Sequence, residues 1–415
     1  MANRVTHYQL EVEVDPGARQ LRVAADLTLA NTEPLDLYLG PEAEIEDLVA
    51  PQATAKTRVS IAGYHPWQLH YRTPPGHVHL RYCFRSHAIT TLPQHMEEAA
   101  GYLDSGAAWY PVVLGPNVFP FVPAPFQVRV YVPPEYRTYL PAQQHGDTWT
   151  MHERRAIALI YGRYRVARFP EGVAWLLDDR DERLWRVRDL VRMGRESQAF
   201  YQTILGPAEQ GLFVLIEARS APGREIFGLG FPNAQLLAEQ LFEQPEHYLH
   251  YFIAHECAHA WWGAGGQVEP QDDAWGFLVE GMADYWALRA VEAQGERSEA
   301  GRVLDRYVAE AEPGLLAGVS PSAPSYTAVA YKKGALVHVA LDHLLGRTVY
   351  DRALRRMVGE RASPTIADFQ LRLERESGRE LAPFFRQFVY GSDLPRVAPM
   401  SAWGNHRSFS TPGMP

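Results

Sequence analysis

At 415 residues the chain exceeds the roughly 250–300 at which a single core stops growing, so two domains are expected. Apolar residues make up 46% and charged residues 21%, the balance of a soluble globular protein, and the net charge of −9 argues against a nucleic-acid or anionic-membrane partner, since both need a basic surface. Two cysteines, Cys83 and Cys257, are too few for a disulfide framework.

The opening stretch MANRVTHYQLEVEVDP goes straight into polar/apolar alternation without a basic leader or apolar core, and no run of about 18 apolar residues follows. The expected address is the cytoplasm, with neither membrane nor nucleic acid as partner. Residues 1–162 read as short alternating runs broken by Pro and Gly, such as HVHLRYCFRS and FQVRVYVPP, and predict an N-terminal antiparallel β domain. From 163 to 398 long amphipathic helices dominate, beginning with DERLWRVRDLVRMGRESQAFYQTILGP and interrupted by the strand candidates GLFVLIEA and REIFGLGF. The second domain is therefore mixed α/β, and the fold class α+β. The tail 399–415 has too few periodic apolar residues to pack and is expected as a surface strap or frayed end. Nearly every basic residue is arginine; lysine occurs only at Lys56, Lys332 and Lys333, which reads as compositional bias without chemistry. Nothing in the pattern sets an oligomeric state.

Residues 255–263, HECAHAWWG, contain the spacing H-E-x-x-H. On a helix this puts His255 and His259 one turn apart on one face, where both rings reach one ion, and sets Glu256 beside that face, able to take a proton from water activated there. The helix is expected to start near Pro245 and to end at Gly263. Cys257 lies off the histidine face and reads as a packed thiol; His247 and His250 share neither turn nor face with the pair. A catalytic zinc usually takes three protein ligands. Downstream, Glu269, Asp272 and Asp273 fall in a Gly- and Pro-rich loop where carboxylates are easily solvated, whereas Glu280 sits in the apolar WGFLVEGMADYWALRAV, where burial is costly unless a cation or hydrogen bonds compensate it. Glu280 is thus the expected third ligand of one zinc per chain. Asp284, one turn on, is placed to orient a ligand histidine through its second nitrogen.

HECAHAWWG followed by LVEGMADYWA resembles the M1 family of zinc metallopeptidases, and the chain order is similar over nearly its full length. The resemblance implies a thermolysin-like catalytic domain over 163–398, a peptide substrate and a short form without the family's C-terminal helical domain. VAYKKGALVHVALDHLL is similar to the family's Y-x-K-G segment, which implies that Tyr331 stabilises the developing oxyanion. GLGFPN stands where the family's aminopeptidases carry G-x-M-E-N, which implies a substrate-binding edge strand with Gly228, Gly230 and Asn233, the glycines allowing close approach. Phe231 and Pro232 replace the Met and the amine-binding Glu, so recognition of the amine would fall to Glu280 and an acid of the β domain such as Glu97 or Glu98. The twenty residues between His259 and Glu280 slightly exceed the family's usual spacing, and the Gly-rich loop absorbs the excess. The expected activity is zinc-dependent release of N-terminal residues from peptides. The rivals are a zinc endopeptidase or dipeptide-specific hydrolase and, disfavoured by the presence of Glu256 and Tyr331, a non-catalytic peptide-binding module.

Overall fold

The computed structural model describes residues 4–397, apart from 31–34, 41–42, 50–52, 59–66, 72–75, 86–93, 105–106, 114–123, 155–156, 178–182, 209–211, 220–226, 264–265, 296 and 322. The tail expected as a strap lies outside the described residues.

The N-terminal part is built of sheets because its alternation is strict. In the strand Val5–Asp15, Leu10, Val12 and Val14 are buried while Glu11 and Glu13 face water, and Leu21 to Leu29 alternate likewise in the strand Gln20–Leu29. Seven strands form one sheet in the order Gln143–His145, Thr148–Arg154, Ala124–Tyr131, Val5–Asp15, Gln20–Leu29, His77–Arg85, Ala43–Val49. One pairing departs from the antiparallel expectation: Val5–Asp15 runs parallel to Ala124–Tyr131, with Leu10 opposite Val128. A parallel neighbour must come from far along the chain, so short-range alternation does not reveal it. Cys83 lies on the strand His77–Arg85 and is buried.

The strands Arg165–Phe169, Gly172–Leu176, Val214–Ala218, Ala234–Ala238 and Gly228–Gly230 form a second, mixed sheet in that order, and Gly228–Gly230 is an edge strand. One face of this sheet packs Ile216, Ala234 and Leu236 against Tyr102, Ile160 and Tyr164 of the N-terminal half. Beyond the other face lie the helices. The first, Leu184–Leu205, stops at Gly206, whose φ of 95° suits a residue without Cβ. It packs against the helix Glu246–Ala258: the Tyr201 hydroxyl donates to the Ala254 carbonyl at 2.8 Å and the Trp261 indole to the Gly206 carbonyl at 3.0 Å. The helices Met282–Ala293, Arg297–Glu310 and Gly334–Leu345 complete the layer around the site. No helix among the described residues is long and apolar enough to cross a membrane.

Candidate metal centre

Pro245 and Glu246 open the helix that carries His255 and Glu256, an acidic first turn that complements the helix dipole. The expectation that it runs to Gly263 is corrected: it ends at Ala258, and His259 is its C-cap. The next amides tighten to shorter-range bonds, His259 to Glu256 at 3.3 Å, Ala260 to Cys257 at 3.2 Å and Trp261 to Ala258 at 2.9 Å. Gly263, with φ of 126°, then turns the chain into the loop. This early end has a chemical effect. The Trp262 carbonyl comes back to accept from His259 Nδ1 at 3.0 Å, which leaves His259 Nε2 free to ligate. Cys257 is buried and its thiol points to the Gly194 carbonyl, away from both rings.

Glu280 belongs to a π-turn, Gly276–Gly281, rather than to the regular helix the sequence suggests; the turn leads directly into Met282–Ala293. Such turns recur at functional sites because the extra residue re-aims a side chain. Here a Glu280 carboxylate oxygen lies 3.6 Å from His255 Nε2 and 3.8 Å from His259 Nε2. Among the described residues these three offer ligand atoms all within 4.8 Å of one another. Two imidazole nitrogens and one carboxylate oxygen, with both Nδ1 positions already engaged, are a donor set that fits zinc.

Asp284 stands behind His255, accepting from its Nδ1 at 2.7 Å. The same carboxylate accepts from the Tyr251 hydroxyl and, on its other oxygen, from Lys332 Nζ at 3.0 Å; Tyr307 in turn donates to Tyr251. Burial disfavours the Asp284 anion, but Lys332 and the His255 hydrogen bond outweigh it and hold the carboxyl well below the usual carboxylate range. Burial likewise pulls the His255 imidazole down, yet Asp284, with Glu280 and Glu256 nearby, pushes it up to about 10 in the metal-free site. Glu280 is depressed despite its burial, by the hydrogen bond to His255, by both imidazoles and by the Tyr331 hydroxyl. Glu256 is raised: burial dominates and the neighbouring carboxylates Glu280 and Asp284 add to it, against the pull of the two histidines.

Tyr331 sits in a second π-turn, Thr327–Lys333, with its ring parallel to that of His255 at a centroid distance of 5.7 Å. Burial, then the charge of Glu280, pushes its phenol well up, so the hydroxyl stays a donor. The two π-turns meet backbone to backbone: a Cβ on Gly281 would lie 2.8 Å from the Gly334 Cα, so both positions need glycine for the segments bearing Glu280 and Tyr331 to touch.

Gly228 and Gly230 occupy the edge strand, and their close approach is to the histidine helix. A Cβ on Gly228 would stand 2.6 Å from a Glu256 carboxylate oxygen, and one on Gly230 would stand 2.1 Å from the Glu256 carbonyl. Asn233 lies in the following hairpin turn, where its carbonyl accepts from the Val214 amide at 2.9 Å; the Phe231 ring lies tilted at 50° to that of Tyr139, centroids 6.0 Å apart, and the Pro232 carbonyl accepts from Gln198. Of the β-domain acids, Glu97 faces His95 at 3.5 Å and Glu98 faces Arg163 at 3.2 Å. The structure thus gathers His255, Glu256, His259, Glu280, Asp284 and Tyr331 around one point, with Gly228 and Gly230 against the same helix and Asn233 beyond them. Sequence reasoning missed Lys332, Tyr251 and Tyr307; the scarcity of lysine was the one signal pointing at Lys332.

The family description "Peptidase family M1 domain" matches residues 207–388. An M1 zinc metallopeptidase from Deinococcus radiodurans has a similar fold at 20% identity, with a TM-score of 0.67 over 95% of this chain and 96% of that one. A mutant of that protein bound to the substrate Tyr-Ser-Ala gives 21% identity and a TM-score of 0.65 over the same shares. Leukotriene A4 hydrolase from Saccharomyces cerevisiae is similar at 14% identity, with a TM-score of 0.74 over 97% of this chain and 70% of that one. No curated protein sequence matches.

Proposed function

Residues 207–388 match the peptidase family M1 domain, and on that match we propose that the chain is a zinc metallopeptidase of this family that releases N-terminal residues from short peptides. The observation that carries this reading is the convergence of His255, His259 and Glu280 beside the buried, raised carboxyl of Glu256. Zinc held by those three residues would supply a Lewis acid, lowering the pKa of a bound water toward about 7 and polarising a carbonyl. Glu256 serves as general base, taking the proton of the attacking water and returning it to the leaving amine. Tyr331, kept protonated by burial, donates a hydrogen bond to the oxyanion that develops on the scissile carbonyl. The edge strand Gly228–Gly230 offers a border along which an extended peptide can pair. Support for short peptides as the substrate class is that a mutant of the structurally similar Deinococcus radiodurans metallopeptidase is bound to the substrate Tyr-Ser-Ala. The carboxylates Glu256 and Glu280 offer acceptor oxygens to a terminal ammonium.

One observation favours an endopeptidase instead. Phe231 and Pro232 pack into a hairpin turn where an amine-binding carboxylate is expected, and Glu97 and Glu98 face His95 and Arg163. Hydrolysis of matched peptides with free and N-acetylated termini separates the two readings. Acetylation removes both the charge and the donors of the amine, so an aminopeptidase loses turnover. Equal cleavage of both forms would replace it with the endopeptidase.

A further inference from the structure

Three carboxylates, Glu256, Glu280 and Asp284, crowd this site, and one ammonium, Lys332, is buried with them. Three anions against one cation leave two negative charges, the charge of one zinc ion with its sign reversed. Lys332 is therefore part of the charge balance of the metal site although its ammonium bonds to Asp284 and not to His255, His259 or Glu280. Its Nζ contacts Asp284 at 3.0 Å and stands 4.4 Å above the ring of Tyr307, whose hydroxyl reaches Tyr251 and through it the same Asp284 carboxylate. Four segments meet at this carboxylate: Tyr251 comes from the histidine helix, Asp284 from the helix that follows Glu280, Tyr307 from Arg297–Glu310, and Lys332 from the π-turn that carries Tyr331.

An Asp284 carboxylate anchored on one oxygen alone could rotate, and His255 would lose the acceptor that fixes its ring. Resting on the zinc reading above, we propose that Lys332 is a positioning residue of the metal site: its ammonium pins Asp284 in the orientation that aims His255 Nε2 at the metal, and so sets how tightly zinc is held. Lys332 acts through Asp284 and touches neither metal nor substrate. Removing the cation also leaves a buried carboxylate without its charged partner, which weakens the fold around it.

The test is a double-mutant cycle on the full chain, with zinc affinity read by competition with a chromophoric chelator and thermal unfolding of each metal-free variant followed in parallel. Lys332→Met should weaken zinc binding about tenfold, the lower range for a residue supporting a metal ligand. In the Asp284→Asn background the same change should add less than about threefold, because the partner through which Lys332 acts is gone. Lys332→Arg, which keeps the cation, should recover most of the affinity. Wild-type zinc binding with unchanged affinity in Lys332→Met, or equal losses in both backgrounds, overturns the proposal and leaves the zinc reading standing. A wild-type chain that takes up no zinc overturns both. If Lys332→Met alone does not fold, the paired variant decides: folding restored by Asp284→Asn supports the coupling, and failure of both variants contradicts it.

Discussion

His255 Nδ1 lies 2.7 Å from a carboxylate oxygen of Asp284, which turns the other ring nitrogen toward Glu280 and His259 and raises the affinity of the metal-free imidazole for a proton. Zinc and that proton compete for the same ring. Because burial is outweighed and the pKa reaches about 10, the metal-free ring stays protonated well above an ordinary imidazole value near 6.5. Zinc binding at about pH 8 should therefore release about one proton from this residue. Calorimetry in buffers of different ionisation heat measures it, and release near zero would contradict the assignment. The same raised pKa stabilises the metal-free fold fully below about pH 6.5, and that contribution fades as the pH rises through about 10.

Glu256 and Glu280 lie close together but have different tasks, so their variants should part. Glu256→Gln keeps shape and hydrogen bonding and should hold one zinc while losing nearly all hydrolysis. Glu280→Ala removes a ligand and should lose zinc affinity and stability together. Metal content and turnover, measured on the same preparations, check both; equal zinc loss would mean the roles are misassigned.

Tyr331→Phe removes only the hydroxyl beside Glu280 and leaves the ring parallel to His255. If the hydroxyl meets the oxyanion, kcat should fall about 100-fold or more with KM little changed. A fall in zinc affinity of comparable size, with kcat intact at saturating zinc, would assign Tyr331 to ligand support.

Gly230→Ala places a methyl 2.1 Å from the Glu256 carbonyl, a backbone atom that cannot swing away. The edge strand or the histidine helix must shift, at a cost of about 1–3 kcal/mol in stability. Denaturant midpoints and kcat should fall together because Glu256 itself is displaced. An unchanged midpoint would show that the strand can lift off the helix freely.

How much of this was legible in the sequence follows from the range of each interaction. The histidine pair and Glu280 could be read because helical spacing and the cost of an apolar-embedded carboxylate are local facts. The order of β part and helical part could be read because the hydrophobic period changes where the helix Leu184–Leu205 begins. The helix end at Ala258 could not, since Trp261 and Trp262 continue the apolar pattern and only the tightened last turn shows that the helix has stopped. Neither π-turn was visible, because one inserted residue leaves no periodic trace over so few positions. The lysines show the limit most clearly. Lys332 and Lys333, dismissed as composition, are both buried: Lys332 pairs with Asp284, and Lys333 donates to the carbonyls of Gly314 and Gly391. Their partners lie far away in sequence, so no local pattern announces them.

The central claim is that one zinc, held by His255, His259 and Glu280, makes this chain a peptide hydrolase. Its most direct test is hydrolysis of free-amine aminoacyl substrates by the purified protein, before metal removal, after it, and during titration back with zinc. Turnover should vanish on chelation and return fully at about one zinc per chain, as expected of a single catalytic site. Turnover that survives complete zinc removal would contradict the account.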